Sequence, residues 1–168
     1  FAASLNDSKL KSTITSAGQP VSGMEAGNRL PSVPQIQVTS AATYQWQLSP
    51  GSRAFITGSY QHMGSRFTQI SDHAAGFGTV NLNSFGANTI GGPLTQSTFT
   101  FDPELPAYNL VNLRVGLIRE SWELAVFLNN VTDERAFLAL DQERGTRGRV
   151  GYLTNQPRTM GVSLRFNY

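Results

Sequence analysis

Residues 159–168, TMGVSLRFNY, alternate without a break. Met160, Val162, Leu164, Phe166 and Tyr168 are apolar or aromatic, whereas Thr159, Gly161, Ser163, Arg165 and Asn167 are small or polar. Successive side chains of a β-strand point to opposite faces, so these residues read as a strand with one greasy face and one wet face. The same period returns in QIQVTSAATYQWQL, residues 35–48, where Ile36, Val38, Ala42, Tyr44, Trp46 and Leu48 share one parity and five glutamines and threonines of that run crowd the other. It returns again in LVNLRVGLI, residues 110–118, with Val111, Leu113, Val115 and Leu117 set against Asn112, Arg114 and Gly116. With the less regular RAFITGSYQHMGSRF and the run WELAVFLNNV, about six strands are expected, over residues 1–13, 35–48, 53–67, 108–118, 122–131 and 158–168.

The connections between these strands alternate in length. SPGS and RES are short, and Pro50 with Gly51 suits a tight turn. The stretches 13–34, 68–106 and 132–157 are long and rich in Gly, Asn, Ser and Thr. Short turns at one end and long loops at the other are the pattern of an outer-membrane barrel. Lipid offers exposed backbone groups no water, so strands that span it must close on one another. The aromatics agree: Tyr44 and Trp46 precede one short turn, Trp122 follows the other, and Phe166 and Tyr168 end the chain. All five then belong to one interfacial girdle.

Composition narrows the alternatives. Charged residues make up 14% of the chain, against about 25% in an ordinary soluble protein. The net charge is only +2 and Lys and Arg form no stripe, which argues against a nucleic-acid partner. Cysteine is absent, so there is neither a disulfide framework nor a thiolate site. The chain opens inside an expected strand, FAASL, as a piece of something longer would.

GNRLPSVP at 27–34, YNLVNLRVGL at 108–117, LNNVTDERA at 128–136 and QPRTMGVSLRFNY at 156–168 together resemble the C-terminal part of a TonB-dependent outer-membrane receptor. The resemblance covers nearly the whole chain in order and spacing. It implies that residues 1–168 are the last quarter of an all-β, antiparallel transmembrane barrel, about six strands of some 22. The family's plug domain and its energy-coupling box have no counterpart here. The partners implied are the remaining strands and plug of the same receptor, outer-membrane lipid and lipopolysaccharide, the barrel-assembly machinery, the inner-membrane TonB complex and a small-molecule nutrient. The location implied is the bacterial outer membrane with a periplasmic C-terminus, and Phe166 and Tyr168 would form the assembly signal.

Candidate sites are few. His62 and His73 lack further ligands at metal spacing, no nucleophile motif is present, and GANTIGG lacks the lysine of a phosphate loop, so no enzyme, metal or cofactor is expected. Arg144, Arg147 and Arg149 gather near a loop tip, where they would meet an anionic substrate or lipopolysaccharide phosphates, although a solvated loop is the favoured reading. DERAFLALDQERG holds good helix formers with Asp133 placed as a cap and Gly145 as a stop, which leaves a short helix open. Arg114 and Arg165 fall on the wet face, to touch a plug or merely line water. The leading expectation is import of a scarce nutrient. The alternatives are a small structural or adhesive barrel, and a soluble barrel for an apolar ligand, which the greasy outer face disfavours.

Overall fold

A computed structural model describes residues 1–85, 96–142 and 150–166. Strand β1 (Ala2–Leu5) leads into a small hairpin of β2 (Thr15–Ser16) and β3 (Gln19–Pro20). Strands β4 (Ile36–Ser49) and β5 (Ser52–Met63) form the first long hairpin. The middle connection holds β6 (Arg66–Phe67), a 3-10 turn at Ile70–His73, β7 (Thr79–Asn81), a second 3-10 turn at Leu82–Ser84, β8 (Thr98–Thr100) and β9 (Glu104–Leu105). Strands β10 (Tyr108–Arg119) and β11 (Trp122–Asn129) form the second long hairpin. The third connection holds β12 (Phe137–Gln142) and β13 (Val150–Thr154), and β14 (Thr159–Phe166) comes last.

The chain is mainly antiparallel β. Its principal sheet has six strands in the order β1-β4-β5-β10-β11-β14, so every strand lies beside its predecessor in the sheet. The first hairpin turns at Gly51, whose φ of 74° is open to glycine at little cost. The register carries the alternation straight across the sheet. Tyr44, Ile56, Val115, Val126 and Val162 lie on one rung, and Trp46, Ala54, Leu117, Leu124 and Leu164 on the next but one. Paired residues of antiparallel strands share a face, so one face of this wall is apolar over its whole width. The intervening rungs are wet: Thr43, Thr57 and Arg114 on one, Gln47, Arg53, Glu123 and Arg165 on another.

Four expectations are corrected. The first strand covers Ala2–Leu5 rather than 1–13, because the chain leaves the sheet at Asn6, whose amide bonds Gln35 O at 2.8 Å. The third expected strand stops at Met63, where the Gly64 amide turns back to Ile36 O at 2.8 Å, and Arg66–Phe67 pairs with β9 instead. Residues 68–106 are not structureless, since the described part contains two 3-10 turns and three short strands. The segment after Asp133 forms strand β12 rather than a helix. Asp133 sits at φ 55° in the turn before it, and its carboxylate accepts the Arg158 amide at 3.1 Å.

The three long connections pack into one cap at the end of the wall opposite the short turns. Arg29 of the first donates to Glu104 and to Ser65 O of the second. Arg66 of the second donates to the Phe137 and Leu138 carbonyls of the third, at 3.3 and 3.0 Å. The Leu140 amide donates to Thr68 Oγ1 and the Tyr152 hydroxyl to the Asp102 carbonyl, both at 2.8 Å. Val80, Leu105, Tyr108, Ala136 and Leu140 are buried there. Gly23, at φ 76°, lies so close to Ile70 O that a Cβ would stand 2.3 Å from it.

Candidate functional site

Two surfaces of the wall carry chemistry, and the pleat separates them. On the apolar face large side chains stand open: Val115 is 47% exposed, Val126 55% and Val162 67%. Near the short turns this face ends in a polar and aromatic rim. Arg119 Nε donates to Ser52 Oγ at 2.8 Å, its guanidinium lies 5.7 Å from the Trp122 ring, and Trp122 pairs with Phe166. Tyr44 and Trp46 stack at 5.7 Å nearby. Near the cap the same face ends in a second polar cluster, where Asn109 Oδ1 accepts from the Tyr60 hydroxyl at 2.7 Å and meets His62 Nδ1 at 2.9 Å.

The wet face is built around Arg114. Its Nη2 donates to Glu123 Oε1 at 2.6 Å and to Ser163 Oγ at 3.2 Å, and its guanidinium lies 5.7 Å from the Phe55 ring. One guanidinium thus ties three neighbouring strands, β10, β11 and β14. Phe55 and Phe127 are the large apolar exceptions mid-wall, and each ring lies over a glycine of the adjacent strand. A Cβ on Gly116 would stand 2.6 Å from Phe55 Cε1, and one on Gly161 would stand 2.5 Å from Phe127 Cζ. The glycines make room for the rings, and the rings cover backbone that glycine leaves bare. Shallow depressions flank Arg114 on both sides, one reaching to Gln45 and Ile118 and the other to Ser59 and Asn129.

The structure therefore brings Arg114 into an ion pair, while Arg165 stands on the next wet rung beside Glu123. Phe166 pairs with Trp122 on the apolar face at the rim. Arg144, Arg147, Arg149 and Tyr168 lie outside the described residues. His62 belongs to the outer polar cluster, and His73 lies against the Phe67 ring with centroids 3.8 Å apart. Among the described residues no three of His, Asp and Glu gather as a metal site.

Two organising residues escape a reading of the sequence. Arg66 is 7% exposed, lies 5.5 Å from the ring of Tyr108 on the wet face, and holds β12 by two carbonyls. Asn130 is 5% exposed, and its side chain bonds the Glu134 and Gln156 carbonyls and the Glu134 amide, within 3.1 Å in each case. The signal for Asn130 is the LNNVTDERA stretch, in which an asparagine follows a strand and tolerates the φ of 52° that the turn demands. In the cap, burial first and then the Asp102 carboxylate push the Tyr152 phenol above its usual value of 10.0.

No family model, curated protein or solved structure matches this chain.

Proposed function

We propose that this chain is part of the wall of a TonB-dependent outer-membrane transporter that imports a scarce nutrient, its six strands continuing into a larger, closed barrel of about 22. The observation that carries the reading is the apolar face, continuous over β4, β5, β10, β11 and β14 and uncovered by any other element among the described residues. Its height fits a bilayer. On β10 the polar ends of the face are Asn109 and Arg119; ten residues of strand rise roughly 34 Å, and a tilt of about 40° reduces this to about 25 Å, the height of an outer-membrane barrel's apolar band. The unpaired edges of β1 and β14 support continuation into further strands, since lipid tolerates no open edge. The cap lies at the end where such a protein meets the outside, and the rim of Arg119, Trp122 and Phe166 at the periplasmic end.

Because the chain has no cysteine, single cysteines report the faces cleanly. In the intact protein in vesicles, a fluorophore at Val115 or Val126 is expected to be quenched by brominated lipid, and one at Thr57 or Gln45 by aqueous iodide. Equal quenching of both pairs from both phases would refute the membrane reading. Energy-dependent growth on a limiting nutrient, lost on deletion of the gene, separates an importer from a purely structural or adhesive barrel.

A further inference from the structure

The wet face of the wall is short of acid. Its charged residues on the six strands are Arg53, Arg114, Arg165 and Glu123. Glu123 is committed to Arg114 at 2.6 Å. Arg53 and Arg165, at opposite ends of one rung, have no ion-pair partner among the described residues. Beyond the cap end of the same face, Arg66 lies over Tyr108 and spends its hydrogen bonds on carbonyls rather than on a carboxylate. Its Nη1 is buried without any partner. A guanidinium so deeply buried is costly unless something supplies negative charge or an acceptor.

These cations occupy successive depths. Tyr108 under Arg66, then Arg114, then Ile118 on the rung of Arg53 and Arg165 are steps of six and four residues along β10, or roughly 20 and 14 Å of strand. We infer that this face is a path for a small, multiply charged anion, a carboxylate- or phosphate-bearing solute, met at the mouth by Arg66 and lower down by Arg114, Arg53 and Arg165. The inference rests on the transport reading, which makes this face the lumen, and it names the substrate class. Low-dielectric walls lined by one sign of charge concentrate the opposite ion. Neutral and cationic solutes gain nothing from such a lining.

The test uses the intact protein in detergent at low salt, with citrate and its trimethyl ester as probes matched in shape and different in charge. Calorimetry is expected to find citrate bound at least ten times more tightly than the ester. Arg53→Gln with Arg165→Gln, both exposed and unpaired, is expected to weaken citrate binding about tenfold, from roughly threefold for each lost charge, and Arg114→Gln to weaken it further. Arg119→Gln, on the apolar face, is the control and leaves it unchanged. Equal binding of the two probes, or citrate binding untouched by the paired variant, overturns the inference. So does an unchanged citrate affinity with a lowered unfolding midpoint, which would mean that the face holds an acidic protein segment. Energised uptake restricted to neutral solutes would sink the inference and leave transport standing. Citrate binding with no energised uptake of any solute would do the reverse.

Discussion

The wall and the cap invert the usual relation between sequence and burial. The wall is written in apolar letters and leaves them bare: Met160 is 78% exposed and Leu164 56%. The cap is written largely in Gly, Asn, Ser and Thr, and it contains Leu105, at 1% the most deeply buried large side chain among the described residues. Water penalises an open apolar face of this extent, whereas hydrocarbon does not. The cap folds as a soluble protein does, around a small core with side chains bonded to backbone. The wall takes its core from outside the chain.

That difference predicts where truncation hurts most. Leu105→Ala is expected to cost about 2–5 kcal/mol of cap stability, the range for emptying a filled apolar site. Hydrogen exchange checks it through the Leu140 amide, bonded to Thr68, and the Asn155 amide, bonded to the Ala136 carbonyl. Both should lose protection while the amides between β10 and β11 keep theirs. Equal loss in the wall would break the comparison, by making cap and wall one cooperative unit.

The two faces of the wall give the next largest contrast. Val126→Arg, at the centre of the apolar face, is expected to cost about 2–4 kcal/mol in a bilayer, and Gln45→Arg, on the wet face, much less. Urea unfolding of the intact protein in vesicles measures both. Equal destabilisation would mean that the apolar face does not meet lipid.

How much of this was legible followed from length. β4, β5, β10, β11 and β14 each run for eight residues or more, long enough for a two-residue period to declare itself. Short and long connections then set their order in the sheet. The cap strands β6 and β9 have two residues each, and no period can be read from two letters. What fixes them is remote: Arg66 reaches the Phe137 and Leu138 carbonyls, 71 and 72 positions away. The same contact explains the helix that did not form. The helix formers after Asp133 yield to a strand that pairs with β13 and whose backbone is bonded by Arg66 and Thr68. At the wall site, parity placed Arg114 and Arg165 on the wet face, but the ion pair with Glu123 depends on register across the hairpin, which no single strand reveals.

Glycine tests the wall at finer grain. On the apolar face, a Cβ at Gly58 would meet only Leu113 Cδ2, at an ordinary 3.6 Å. On the wet face, a Cβ at Gly116 would strike the Leu124 carbonyl oxygen at 2.5 Å and the Phe55 ring at 2.6 Å. Gly116→Ala is therefore expected to destabilise by about 1–3 kcal/mol, and Gly58→Ala to be neutral or slightly stabilising, since alanine loses less conformational freedom on folding. Unfolding midpoints of the two variants decide it. A larger loss at Gly58 would place the tight packing on the wrong face.

The smallest effect belongs to the cap and is read by pH. The Tyr152 phenol donates to the Asp102 carbonyl at 2.8 Å and stacks on Phe137 with centroids 4.5 Å apart. Burial first, and then the Asp102 carboxylate, raise its pKa above 10.0. A raised phenol pKa means that the folded cap holds this proton more tightly than the unfolded chain does. The stabilisation is therefore complete below about pH 10, the unfolded value, and disappears as pH climbs through the higher folded value. Tyr152→Phe keeps the ring and removes the hydroxyl, so it should lower cap stability by about 0.5 kcal/mol at pH 8, the low end for a hydrogen bond that is open to solvent. Well above pH 10 the gap should close and then reverse, because the wild type must either ionise the phenol beside a carboxylate or open, and phenylalanine need do neither. Phenolate absorbance at 295 nm should show the wild type's last tyrosine transition missing from the variant. A constant stability difference from pH 8 through that transition would mean that Tyr152 acts through its ring alone, and that the hydroxyl contributes nothing to holding the third connection against the second.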